Sequence, residues 1–215
     1  MSGRLVAWLA LTGVLTVINY ASRAFSGKPP RDAVYHYSLA VGGLFQYGLL
    51  LGLVLLIAGS GRRRELLALR RPTSWWLAAR LSAAVLFGIY LLVGVLSPFL
   101  HPGREQGLSP SGWDSSRAGA YAASFVVLAV FGPIVEELQY RGLGYSLLQG
   151  YGATIAIGVV GLTFGLVHGL VQGLPILVAF GAGLAWIRSR TDSVYPGIVV
   201  HVAFNSIALT LSVLA

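Results

Sequence analysis

The sequence predicts an all-α fold, a multi-pass transmembrane helix bundle of seven or eight helices. Three observations predict it: 56% of the 215 residues are hydrophobic, only 10% are charged, and the apolar residues fall in long runs separated by short polar breaks. An average soluble domain carries roughly 25% charged residues, and a chain so poor in charge cannot clothe its apolar surface in water. A helix that crosses a bilayer needs about 20 mostly apolar residues. Seven such segments lie near 5–22, 36–59, 75–99, 118–137, 152–171, 174–188 and 194–214. A shorter amphipathic piece, Arg141 to Gln149, either continues the fourth helix or lies at the interface, which leaves the count at seven or eight. With no linker, low-complexity tract or internal duplication, residues 1–215 form a single integral membrane domain in which 118–210 is the motif-bearing core.

The net charge of +8 excludes little by itself, but its distribution does. Lys and Arg gather in loops between apolar runs instead of forming a continuous basic face, so nucleic acid is not an expected partner; membrane lipid is. The most basic loop holds Arg62, Arg63, Arg64, Arg70 and Arg71 and is expected in the cytoplasm. An odd helix count then puts the N-terminus in the cytoplasm too. The loops carrying Arg23, Lys28 and Arg31, and Arg104 and Arg117, fall outside on this topology, against the positive-inside trend. Trp75 and Trp76 suit an interfacial aromatic belt. Asn19, Tyr20, Ala21, Ser22 and Arg23 run straight into a charged loop with no cleavage site, so the first segment reads as a retained helix. The longest irregular stretch, His101 to Arg117, contains Pro102, Gly103, Gly107, Pro110 and Gly112, and His36 and His101 are expected to be solvated at segment ends. There is no cysteine, hence no disulfide or thiolate nucleophile.

Five of the seven acids, Asp32, Glu65, Glu105, Asp114 and Asp192, lie in loops; the other two, Glu136 and Glu137, are adjacent at the end of an apolar run. A carboxylate inside a membrane helix costs several kcal/mol unless paired or hydrated, and so marks a functional site by default. On a helix Glu137 and Arg141 stand four apart with the acid N-terminal, the favourable order for an ion pair. Glu136 points about 100° away, toward the face of Tyr140, with no local cation. Glu137 is therefore the paired acid and Glu136 the candidate general base. Pro133, just before them, is expected to open the helix and free backbone carbonyls.

Phe164 and His168 are spaced by four, as are His201 and Asn205, so each pair shares a helix face. Glu136, His168, His201 and Asn205 lie on three helices almost devoid of other polar side chains, and they can satisfy one another only by converging inside the bundle. Gly161, Gly165, Gly169 and Gly173 form a strip at four-residue spacing that admits a neighbouring backbone. Pro196 and Gly197 open the last helix. Such a set can hydrolyse an amide with water as nucleophile. Glu136 takes the proton, His168 holds the water, and His201 and Asn205 donate to the developing oxyanion. No Ser, Thr or Cys stands beside a base in an equivalent place, which argues against a covalent intermediate.

The motifs Glu136-Glu137-x-x-x-Arg141, Phe164-x-x-x-His168 and His201-x-x-x-Asn205 resemble, in order and spacing, the three signatures of the CAAX protease and bacteriocin-processing (Abi) family of intramembrane glutamic endopeptidases. The resemblance covers roughly residues 118–210. It implies Glu136 as water-activating base, Glu137 and Arg141 as its supporting ion pair, His168 as second water ligand, and His201 and Asn205 as oxyanion stabilisers. Phe164 and Tyr140 are packing or substrate contacts. It implies a peptide or protein substrate, for which a prenylated C-terminus is one option, and no cofactor or metal. The compact chain is most similar to prokaryotic members, placing it in a prokaryotic cell membrane. Two other readings stand beside this one. Glu136, His168 and His201 could be zinc ligands of a membrane metalloprotease, although there is no His-Glu-x-x-His. A non-catalytic immunity factor, scaffold or transporter could also bury Glu and His.

Overall fold

The computed structural model describes residues 2–25, 30–100, 105, 108 and 110–214. Lys28, His101, Pro102, Gly103, Arg104 and Gly107, all used in the sequence reading, lie outside the described residues. Seven long helices carry the described chain: α1 (Gly3–Phe25), α2 (Tyr37–Ala58), α3 (Trp75–Leu96), α4 (Ser115–Tyr151), α5 (Ala153–Val167), α6 (Leu174–Thr191) and α7 (Tyr195–Leu214). An isolated antiparallel bridge between Asp32 and Leu108 is the one β-type pairing among the described residues. The expected all-helical bundle is the observed one. The amphipathic piece from Arg141 to Gln149 continues the fourth helix.

Five of these helices, α1, α2, α3, α4 and α7, are long and apolar enough to cross a membrane, and the chain is an integral membrane protein. Their outward residues, among them Phe45, Leu56, Trp76 and Phe87, are exposed and apolar, the pattern expected where lipid is the solvent. Local signals set the ends. Ser74 caps α3 by accepting from the Leu77 amide at 3.2 Å. Gly59, at φ 69°, closes α2 with its N–H on the Leu55 and Leu56 carbonyls.

α5 is shorter than the expected segment 152–171. Its 15 residues end at Val167, with His168 as the C-cap. At a rise of about 1.5 Å per residue it cannot span a hydrocarbon core about 30 Å thick. The chain turns at Gly169, whose φ of +64° lets it pass against the backbone of Asn19 in α1. The glycine strip therefore divides. Gly161 and Gly165 face α6, where a Cβ on Gly161 would lie 2.8 Å from the Ala182 nitrogen, whereas Gly169 and Gly173 belong to the turn between α5 and α6. The sequence spacing is right, but the helix ends before the strip does.

The two ends of the bundle differ. Arg4 lies beside Gly59, so the N-terminus shares an end with the basic loop. That loop is tied to the end of α6 by Arg70 on Asp192 at 2.6 Å and by the Thr73 amide on the Thr191 carbonyl at 3.0 Å. At the opposite end Arg117 pairs with Asp32 and Asp114, each at 2.6 Å, and lies 4.8 Å over the Tyr35 ring. Hydrogen bonds from Ser116, then from Arg117, hold the Asp114 carboxyl down at about 2.

Candidate active site

The backbone of α4 prepares the site. Two stretches, Val126–Phe131 and Leu138–Gly144, are wound as π-helix and flank the short α-helical piece that carries both glutamates. In the first, the Gly132 N–H donates to the Val127 carbonyl, five residues back. The next donor in that register is Pro133, which has no N–H, so the Leu128 carbonyl is left for another partner. The side-chain amide of Asn205 donates to it at 3.0 Å, fastening α7 to α4. Pro133 thus opens the helix as expected, and the carbonyl it frees positions Asn205.

Gly132 brings α2 close. A Cβ there would lie 2.7 Å from the Tyr47 ring. From that position the Tyr47 hydroxyl donates to Glu136 Oε1 at 2.8 Å. The sequence reading left Glu136 without a local cation and pointing toward the face of Tyr140; the structure adds Tyr47, from a helix outside the motifs, as its hydrogen-bond donor. Glu136 is nevertheless the less buried acid, at 14% side-chain exposure.

Glu137 and Arg141 form the expected ion pair at 2.7 Å, with both side chains 0% exposed. Arg141 also donates to the Gly181 carbonyl at 3.0 Å and lies 4.3 Å over the Phe164 ring, so three elements hold this buried cation. Glu137 has a second task. Its Oε1 lies 3.0 Å from His201 Nδ1, and the imidazole Nε2 is then directed to Glu136 Oε2 at 3.8 Å. Gly197 makes the approach feasible, because a Cβ there would meet Glu137 Oε2 at 2.5 Å.

His168 is oriented by its own helix. Its Nδ1 lies 2.7 Å from the Phe164 carbonyl; a carbonyl only accepts, so Nδ1 carries the proton and Nε2 is left as an acceptor. The Phe164 ring lies edge-on to His168 at 4.8 Å and to His201 at 5.6 Å. It is a shared floor for both imidazoles. Tyr140, 1% exposed, packs edge-on against Phe164 at 5.3 Å and against Trp8 at 6.3 Å.

Glu136, His168, His201 and Asn205 all line one cavity of about 710 Å³. Its remaining wall is largely apolar, with Leu128, Ile176, Leu177, Phe180, Phe204 and Leu209 among the lining residues. A second cavity of about 660 Å³ runs between α1 and α2 and shares Glu136, His168, Tyr47 and Arg23 with the first. The two spaces meet at the general-base candidate. Among the described residues no three His or acidic side chains are grouped to hold a metal ion.

The site also depends on residues that motif reading passed over. Asn19 donates to the Val167 carbonyl, next to His168, and Tyr20 donates to the Leu170 carbonyl at 3.2 Å. The Trp8 indole donates to the Gln139 carbonyl at 3.0 Å, within the second π stretch. Glu105 accepts from the amides of Val171, Gln172 and Gly173 at 2.7, 3.0 and 3.1 Å and so caps the start of α6. The rule that a polar group inside an apolar helix needs a partner, applied to Asn19 as it was to Asn205, is the signal that finds one of them.

Neither a curated protein nor a solved structure matches the chain. Residues 118–207 match the family model described as Rce1-like, Type II CAAX prenyl endopeptidase Rce1-like. The matched stretch takes in α4 from Ala118 onward, all of α5 and α6, and α7 past Asn205, and so contains every motif residue whose convergence is described above. Over its motif-bearing part this membrane protein is similar to the Rce1-like family of CAAX prenyl endopeptidases.

Proposed function

We propose that the chain is an intramembrane endopeptidase that cleaves a peptide bond with water activated by Glu136, without a metal. The observation that carries this reading is the convergence of Glu136, His168, His201 and Asn205 on one cavity. A water between Glu136 and His168 Nε2 gives its proton to the Glu136 carboxylate. The oxygen adds to the scissile carbonyl carbon, and the carbonyl oxygen becomes an oxyanion. Asn205 keeps one amide hydrogen on the Leu128 carbonyl and offers the other to that oxygen. His201, held on Glu137 through Nδ1, turns Nε2 toward the reacting centre as the second stabiliser of that oxygen. The tetrahedral species collapses as the C–N bond breaks. The proton on Glu136 passes to the leaving amine, which restores the carboxylate.

The apolar wall of the larger cavity suits a hydrocarbon chain on the substrate, which supports a prenylated protein C-terminus as one substrate class. For topology, the N-terminus and the basic loop share an end, and the charge of that loop supports a cytoplasmic location for it. The cavities extend the other way, toward Arg23, Leu108 and Pro110. Because the chain has no cysteine, single cysteines at Ser60 and Ser111 test the topology directly. In intact cells a membrane-impermeant thiol reagent should label Ser111→Cys and spare Ser60→Cys; the reverse pattern overturns it.

The activity is tested with purified wild type and Glu136→Gln on a library of unmodified and farnesylated peptides, read by mass spectrometry. Cleavage by wild type alone, insensitive to chelator, is the expected result. A wild type that cleaves nothing overturns the enzyme reading, and chelator inhibition reversed by zinc replaces it with a metalloprotease.

A further inference from the structure

The cavity between α1 and α2 carries a cation that the hydrolytic machinery does not use. Arg23, in the last turn of α1, lines both cavities, and among the described residues it is the one Lys or Arg that lines either. Glu136 is the one acid lining them. The Arg23 guanidinium donates to the backbone carbonyl of Glu105 at 2.7 Å. It forms no ion pair with an acid among the described residues, whereas Arg62, Arg70, Arg117, Arg141 and Arg188 each do. The nearby Glu105 carboxylate is committed elsewhere, to the amides of Val171, Gln172 and Gly173.

The walls of this cavity are short of acceptors as well. Gln139 and Tyr140 both line it and are both 1% exposed, and Gln139 Nε2 and the Tyr140 hydroxyl have no hydrogen-bond partner among the described residues. A buried donor left open costs about 1–3 kcal/mol unless a ligand satisfies it. The occupant that suits a cation and open donors is an anion with further acceptors along its backbone. Without Arg23, any anion entering here would meet only the like charge of Glu136.

Resting on the protease reading above, we propose that Arg23 is a specificity residue that receives a carboxylate of the substrate in the α1–α2 cavity, while the scissile bond lies at Glu136 and His168. Position supports the pairing. Asn19, one helical turn before Arg23, holds the Val167 carbonyl beside His168. A turn advances about 5.4 Å and an extended peptide about 3.3 Å per residue, so the carboxylate lies roughly two residues of extended peptide beyond the Asn19–His168 contact. It is either the chain's C-terminus or an Asp or Glu side chain at that distance.

The test compares wild type, Arg23→Gln and Arg23→Lys, purified as full chains, on the library peptide best cleaved by wild type. That peptide is made as the free acid, as the C-terminal amide, and as the acid with internal Asp and Glu changed to Asn and Gln. For the preferred form, Arg23→Gln should raise KM roughly 10- to 100-fold, the weight of a hydrogen bond to a charged group, with kcat little changed. Arg23→Lys should recover part of the loss. Amidation should cost wild type a similar factor and add nothing to Arg23→Gln if the terminal carboxylate is the ligand; the internal changes should do so if a side chain is. Equal loss on every form, or a wild type indifferent to all the changes, overturns the proposal. Binding of a fluorescein-labelled farnesylated peptide, as acid and amide, keeps the proposal testable if wild type cleaves nothing. Tighter binding of the acid that is lost in Arg23→Gln supports it; equal or absent binding of both forms overturns it.

Discussion

Two acid–arginine clusters in this molecule are built alike and live in different solvents. In the centre of the bundle Arg141 stands on Glu137 and over the ring of Phe164; at the outer end Arg117 stands between Asp32 and Asp114 and over the ring of Tyr35. The central pair is 0% exposed, while Arg117 and Asp32 are 39% and 40% exposed. Water screens the outer cluster and can replace any member of it. Nothing replaces a member of the inner one. Removing one charge from a buried pair leaves the other stranded, and that rigidity is what lets Glu137 hold His201 by Nδ1 and aim its other nitrogen at Glu136. Burial turns the same pairing from a surface tie into a positioning device.

The largest effect that sharpens this contrast comes from the acid outside the inner ion pair. Glu136→Gln keeps the size of the side chain and the Tyr47 contact but removes the base. Peptide hydrolysis should fall about 10²- to 10⁴-fold, the usual weight of general base catalysis, with Tm within a few degrees of wild type. A variant that retains most of its activity would show that Glu136 is one more structural acid.

Next comes the inner pair itself. Arg141→Met should destabilise by about 3–5 kcal/mol, because the Glu137 carboxylate is left buried and uncompensated. Adding Glu137→Gln should recover much of that stability without recovering activity, since His201 loses its anchor. Thermal unfolding in detergent and the cleavage assay read the two separately. If the double variant regains activity, Glu137 does not position His201.

Tyr47→Phe is the milder break. It removes the hydroxyl that donates to Glu136 at 2.8 Å and leaves the ring against Gly132 in place. A drop of roughly tenfold in kcat with KM unchanged is expected from losing one hydrogen bond to a charged group. An equal rise in KM would make Tyr47 a substrate contact instead.

How much of this was legible depends on whether a residue's partner lies within its own helix. Glu137 and Arg141 are four apart on one helix, so their pairing could be written down from spacing alone, and the structure shows it at 2.7 Å. The convergence of His168, His201 and Asn205 with Glu136 was legible because membrane helices leave polar groups no other solvent. Tyr47 was not, because nothing in its sequence neighbourhood says which of the other helices it faces; the contact depends on Gly132, far along the chain in α4, being too small to block it. The early end of α5 was hidden for a similar reason. Leu170 and Val171 carry the apolar pattern on past His168, and only the passage of Gly169 against α1 at φ +64° turns the chain. The π winding of α4 was half legible: Pro133 predicts an opening, but the register that hands the Leu128 carbonyl to Asn205 is set by packing between α4 and α7.

The outer cluster should give the smallest effect and a distinctive pH dependence. Arg117→Gln is expected to lower Tm far less than Arg141→Met and to leave cleavage unchanged, because the charges it strands are reached by water. The Arg117 hydrogen bond holds the Asp32 carboxyl below its ordinary value, and Ser116, then Arg117, hold Asp114 at about 2 against an ordinary 3.8. Carboxyls depressed in the folded state contribute stability that is fully present above their unfolded values, and they lose it as pH falls through the folded ones. The Tm difference between wild type and Arg117→Gln should therefore be constant above about pH 5, shrink as the pH is lowered through the carboxylate range, and be gone only once the pH is well below about 2. High salt should shrink it at neutral pH as well, since exposed pairs are screened. A difference that survives both acid and salt would mean that Arg117 acts through its packing on Tyr35 and not through its charge.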